Sequence, residues 1–307
     1  MPKPLRGYCP IVPTPYTEAG EVDFLSLERL VDYLIDNGTH GMSPNGGDSE
    51  APFLSVAERN AALDVVVKTN AGRIPVLVGT SAQTVQETLE LNRHAHKAGA
   101  DAVFVHPGWG RSGLSLEEVV DFYETICREM EIPLMIHGTA DMDLSVVRTL
   151  LDRFPIITYI KEETSHGPKL RQYVKELGDR VTIFAPGLHY PGELGWGGQG
   201  VMPSCAAPRA HARVFDLWQE GRHDEARAEW NRMLPLVFWR WHTSAGEAGK
   251  VFLKHMGVFE HAYCRQQVTT PGQGHTGAEV AFGTLTLDEA DRQEMLAILD
   301  TMGEPPY

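Results

Sequence analysis

Residues 74–106 read IPVLVGTSAQTVQETLELNRHAHKAGADAVFVH, and the fold turns on how that pattern repeats. Residues 74–79 form a short apolar run ended by glycine, the mark of a buried strand. Residues 81–98 are spaced as a helix, and residues 102–106 form a second apolar run that ends in His106. The alternation continues toward the C-terminus. Helices are expected at 115–130, 144–154, 169–177, 190–196 and 209–220, and strands at 132–137, 156–161, 181–185 and 200–203. It also extends back toward the N-terminus. A strand at 7–13 precedes a helix at 24–37, whose Leu25, Leu27, Leu30, Val31, Leu34 and Ile35 recur at helical spacing before Gly38 stops it. A brief strand at 41–44 precedes a helix to residue 70, opened by a capping box of Ser55 and Glu58.

Eight strand–helix units imply a parallel sheet. An open, doubly wound sheet usually carries G-x-G-x-x-G after its first strand, whereas the first turn here is P-T-P-Y (13–16). The expected fold is therefore α/β, a closed (β/α)₈ TIM barrel over residues 1–220. Residues 221–307 read as a C-terminal helical extension packed on the barrel, with helices at 224–241, 245–256 and 287–302 and a Gly- and Thr-rich loop at 271–283.

The 307 residues suit one such barrel, and the formal charge of −14 argues against a nucleic-acid partner. The acidic residues are spread along the helices, as expected for solubility. An anionic substrate would therefore need local positive potential in the pocket. Cys9, Cys127, Cys205 and Cys264 are far apart and make no C-x₂-C pair, which argues against a disulfide framework or a structural zinc site. No apolar segment follows the basic residues of MPKPLRGYCP, and no run approaches the ~20 apolar residues of a membrane span. A cytoplasmic protein with no membrane partner is expected.

In this barrel the active site lies at the C-terminal ends of the strands. The polar residues there are Asn45 to Glu50 after the second strand, His106 and then Trp109 after the fourth, and His137 ending the fifth. Lys161, Glu162 and Glu163 end the sixth, Gly187 and His189 follow the seventh, and Ser204 ends the eighth. Lys161 closes an otherwise apolar strand. Desolvation penalises an ammonium and makes the amine a better nucleophile, able to form an imine with a carbonyl. The alternative is a lysine that snorkels to solvent or pairs with Glu162.

The set of motifs T-P-Y (14–16), G-G-D-S-E (46–50) followed by Leu54, Ser55, Glu58 and Arg59, A-G-A-D-A-V-F-V (98–105), I-P-L-M-I-H (132–137), I-T-Y-I-K (157–161) and G-G-Q-G-V-M-P-S (197–204) resembles the dihydrodipicolinate synthase / N-acetylneuraminate lyase family of class I aldolase barrels. The resemblance implies that Lys161 forms a Schiff base with pyruvate or a related 2-oxo acid. It also implies that the loop of Gly46, Gly47, Asp48 and Ser49 binds the acid end through backbone N–H groups and hydroxyls.

The chain departs from the family in four places. His137 stands where members have the proton-relaying tyrosine, and histidine titrates in the right range to serve as acid/base. Asp48 replaces a threonine. Turned inward and ionised it would repel a carboxylate; turned back on the backbone it would be an Asx-type turn residue. Met142 replaces the arginine of the synthases, and Gly108 and Trp109 replace their tyrosine pair. These losses argue against a true dihydrodipicolinate synthase. They leave an aldolase, synthase or dehydratase acting on a 2-oxo acid or aldehyde, with Trp109, Glu163, His189 and Ser204 shaping the pocket. No cofactor and no metal are expected, and a homo-oligomer, dimer or tetramer, is expected, with residues 234–241 suited to an interface. Two rival readings are a metal-dependent lyase or hydrolase using His106, His137 and His189, and an inactive ligand-binding barrel.

Overall fold

The computed structural model describes residues 5–107, 114–137, 143–164, 166–242, 245–265, 272–273, 279–280 and 287–303. The first barrel strand is split into β1 (Gly7–Tyr8) and β2 (Ile11–Val12), since Pro10 between them has no N–H to donate. The others are β3 (Ser43–Pro44), β4 (Leu77–Gly79), β5 (Ala102–Val105), β6 (Leu134–His137), β7 (Ile157–Lys161), β8 (Thr182–Ala185) and β9 (Gly200–Val201). Strands β4 to β9 pair in sequence, all parallel, and β9 pairs with β1. Strand β2 pairs with β3, and bridges from Ile11 to Ser204 and from Met42 to Val76 carry the curl around the remaining gaps. The curled parallel sheet is the expected TIM barrel.

The helices are α1 (Phe24–Asp36), α2 (Val56–Asn70), α3 (Val85–Ala98), α4 (Leu116–Cys127), α5 (Leu144–Arg153), α6 (Gly167–Leu177), α7 (Tyr190–Gly195) and α8 (Pro208–Gln219), followed by α9 (His223–His242), α10 (Ala245–His255) and α11 (Glu289–Met302). Ser55 and Glu58 form the expected capping box. Helix α3 starts four residues later than its spacing predicts. Thr84 caps it by accepting the N–H of Glu87, and Ser81 stays outside to serve a strand end. Within the expected loop at 271–283, β10 (Gly272–Gln273) and β11 (Glu279–Val280) pair antiparallel. No helix among the described residues is long and apolar enough to cross a membrane.

Strand side chains alternate between two cores. Leu77, Ala102, Phe104, Met135, Phe184 and Met202 fill the barrel interior, with Tyr159 against them. Their neighbours Val76, Val78, Val103, Val105, Ile136, Ile160 and Ile183 pack outward against the helices. Gly79 is required by close approach, since a Cβ there would lie 2.2 Å from the carbonyl oxygen of Asn45. In the C-terminal part, Leu236 and Trp239 are buried and the Trp239 indole donates to the Asp291 carbonyl, so much of the apolar stretch at 234–241 is covered by the chain itself. Phe238 remains 56 % exposed.

His211 on α8 is buried, stacked on Tyr8 at 4.7 Å between ring centroids and edged by Trp230. Burial pushes its imidazole down to about 4 from 6.5, so the folded state holds it neutral. Between those values the unfolded chain binds a proton that the folded chain does not. Stability attributable to His211 is therefore intact above pH 6.5 and is lost as pH falls toward 4. Glu193, pushed up to about 7 by burial, acts in the opposite sense across the same range. The informative measurement is thus a comparison with a variant. Denaturant unfolding of His211→Gln between pH 7.5 and 4.5 should show a shallower loss than the native chain, by roughly 3 kcal/mol.

Candidate active site

The two-residue period of β7 turns Tyr159 and Lys161 inward and Ile160 outward. Lys161 is 4 % exposed, and its register partners are His137 on β6 and Phe184 on β8. Its Nζ lies 2.8 Å from Oε2 of Glu163, and the same oxygen lies 3.6 Å from Nε2 of His137. One carboxylate thus bridges the amine and the imidazole. Glu162 faces elsewhere. It is buried, accepts the N–H and hydroxyl of Thr164, and pairs with Lys169 on α6 at 3.7 Å. Glu163 is therefore the acidic partner of Lys161, and the pairing with Glu162 weighed from the sequence does not form.

His106 lies beside His137, with 5.6 Å between ring centroids, and burial holds its imidazole below the usual histidine range. Its backbone N–H donates to Ser81 Oγ at 2.8 Å. A buried strut fixes that turn: Arg59 on α2 donates to the carbonyls of Ser81 and Gly79 at 2.8 and 2.9 Å.

The loop of Gly46 to Glu50 sits across the barrel from Lys161. A Cβ on Gly46 would touch Ile11 and Phe104, and Phe104 neighbours His137. The hydroxyl of Ser49 is spent within the loop: it accepts the Gly46 N–H at 3.0 Å and donates to the Val12 carbonyl at 2.5 Å. The N–H groups of Gly47 and Asp48 bond to no other described residue. The Asp48 carboxylate is neither an Asx turn nor uncompensated, since it pairs with the Arg240 guanidinium from α9. Glu50, at φ 55°, pairs with the fully buried Lys250 of α10.

His189 and Ser204 have partners of their own. His189 is exposed, its ring 5.5 Å from that of Trp196, and its backbone N–H is held by the Glu193 carboxylate. Ser204 is half-buried and its carbonyl accepts the Tyr8 hydroxyl at 2.8 Å. Trp109, with Gly108 and Met142, lies outside the described residues. Among the described residues, no three His, Cys, Asp or Glu side chains converge as metal ligands.

A model of the dihydrodipicolinate synthetase family matches residues 4–277. The chain belongs to that family. The family consists of aldolase-type lyases, synthases and dehydratases, and this chain is an enzyme of that family. It is 28% identical over 264 residues to L-2-keto-3-deoxyarabonate dehydratase of Azospirillum brasilense, covering 82% of this chain and 85% of that one. It is 32% identical over 232 residues to 4-hydroxy-tetrahydrodipicolinate synthase of Pelobacter propionicus, covering 72% and 78%. In fold it is similar to a putative dihydrodipicolinate synthetase of Pseudomonas aeruginosa, with TM-score 0.87 and 22% identity over 97% of this chain and 100% of that one.

Arg240 and Lys250 are not foreseen from the sequence. Both lie about 200 residues from their partners, and no local pattern joins them. The one available signal was Lys250 itself, a charge set directly before the apolar run Val251, Phe252, Leu253. Removing one member of a buried ion pair strands the other. Lys250→Met should cost about 3–5 kcal/mol in denaturant unfolding, and the double variant Glu50→Gln/Lys250→Met should recover most of that loss.

Proposed function

We propose that Lys161 is the Schiff-base lysine of a class I lyase acting on a 2-oxo acid. The observation that carries this reading is the buried amine at the open end of β7, 2.8 Å from a carboxylate that also reaches an imidazole. The amine must lose a proton before it attacks, and Glu163 is placed to accept it. Attack on the ketone carbon gives a carbinolamine. Loss of its hydroxyl as water, with a proton from His137 or Glu163, gives the imine. The positive nitrogen then draws electrons from the adjacent carbon. In a dehydration a proton leaves that carbon and the hydroxyl on the next carbon, once protonated, leaves as water. In a retro-aldol cleavage the hydroxyl on the next carbon loses its proton, the bond between the two carbons breaks, an aldehyde departs and the remaining enamine takes up a proton. Hydrolysis of the imine then frees the product and Lys161. His137 serves as acid and base in these steps. Gly46, Gly47, Asp48 and Ser49 form the loop that receives the acid end, and Trp109, His189 and Ser204 border the second fragment. The absence of the synthases' arginine and tyrosine pair at Met142, Gly108 and Trp109 favours a substrate other than that of the dihydrodipicolinate synthases. A homo-oligomer, dimer or tetramer, in the cytoplasm completes the reading.

Borohydride reduction in the presence of pyruvate should add one reduced pyruvate to the intact mass, mapping to Lys161, and Lys161→Ala should take up none. A folded protein that forms no adduct with any of a broad 2-oxo acid panel would exclude the imine. His137→Gln should lower turnover about 10²-fold while trapping at Lys161 persists; unchanged turnover removes His137 from proton transfer.

A further inference from the structure

We propose that Arg240 makes the loop at residues 46–50 receptive to a carboxylate and so makes the site selective for anionic over neutral carbonyl substrates. The inference deepens the Schiff-base reading and rests on it for the identity of the ligand.

The loop offers two N–H groups, those of Gly47 and Asp48, that bond to no other described residue. Two adjacent amides suit a carboxylate oxygen. The same loop, however, carries the Asp48 carboxylate, 31 % exposed, on a chain with a formal charge of −14. An anion brought to those amides meets a like charge within one residue. Nearby cations offer little relief. Lys161 is matched by Glu163 and Lys250 by Glu50, and the Arg59 guanidinium is buried on two carbonyls. The Asp48–Arg240 pair therefore decides the sign of the potential at the loop.

Arg240 is built for this task. Its side chain is 12 % exposed, one terminal nitrogen bonds Asp48, and its Nε is buried with no hydrogen-bond partner among the described residues. Both charges reach the end of the eighth strand. Burial pushes the Cys205 thiol up to about 12, with Asp48 adding to the rise and Arg240 opposing it. The pair is thus close enough to the turn that follows Ser204 for both charges to be felt there. Arg240 acts through Asp48, as a positioning and electrostatic residue, and comes from a helix that the barrel itself does not include.

The test compares pyruvate with its neutral amide, pyruvamide, by calorimetric titration, with borohydride trapping in parallel. Arg240→Met should weaken pyruvate by about tenfold or more and pyruvamide by less than about twofold, as expected when a full charge is left unmatched near an anion. Arg240→Lys should keep the preference for pyruvate. Asp48→Asn/Arg240→Met should return pyruvate to within about threefold of the native protein. Asp48→Asn alone, which leaves Arg240 unmatched, should tighten pyruvate and leave pyruvamide unchanged, and it decides the matter if Arg240→Met does not fold. Equal losses of both ligands in Arg240→Met, an unchanged pyruvate affinity, or a native protein that takes neither ligand each overturn the inference. Charge-selective binding without trapping at Lys161 supports it while removing the Schiff-base reading.

Discussion

A strand in a closed parallel sheet must send alternate side chains to opposite cores, and the site depends on that constraint. In β7 the alternation fixes Tyr159 and Lys161 inside and Ile160 outside, and in β6 it fixes Met135 and His137 inside and Ile136 outside. The inner row is apolar until the last residue of each strand, where the amine and the imidazole stand side by side in register. Beyond the strand, Glu162 leaves toward α6 and Glu163 returns to the amine. A shift of one residue would turn Lys161 and Glu163 together toward the helices and bring Ile160 and Glu162 inside. The chemistry is therefore set by the same periodicity that fills the barrel.

Charge at this end is organised as local pairs on a strongly acidic chain. Lys161 with Glu163, Asp48 with Arg240, Glu50 with Lys250, and Glu58 with Arg265 each bring a cation to a carboxylate around the mouth. Three of these pairs tie the segment after β3 to α9, α10 and the residues following α10. Arg265 also donates to the carbonyls of Gly20 and Phe53 and lies 4.6 Å over the Tyr16 ring. Helices α9 and α10 and the residues that follow them thus hold the loop that β3 leads into. Such pairs are poor sources of net stability, but they fix geometry, because leaving any member alone and buried is costly.

The barrel was legible because its information is local: each strand and helix announces itself within a dozen residues, and caps at Ser55 and Ser115 mark two helix starts within a residue. Lys161 and His137 were legible for the same reason, being the last residues of apolar strands. Helix α3 was begun four residues too early, at Ser81, where Thr84 and Glu87 make the cap. The pairing of Lys161 with Glu163 in place of Glu162 follows from strand alternation, and could have been read by counting in twos beyond the strand end. The partners of Asp48 and Glu50 could not, because ion pairs across 192 and 200 residues leave no spacing to detect.

Glu50 adopts a left-handed backbone at φ 55°, an uncommon posture for a residue with a side chain, and its carboxylate is closed over by Lys250. The order of synthesis gives this a consequence. When the ribosome has made all the barrel strands, Glu50 is in place and its partner has not been made. The loop at the barrel mouth lacks its counter-charges until α9 and α10 emerge. Those counter-charges follow the last barrel strand by some fifty residues, on the order of several seconds of synthesis. A chain ending short of α9 and α10 would therefore leave the Asp48 and Glu50 carboxylates unmatched.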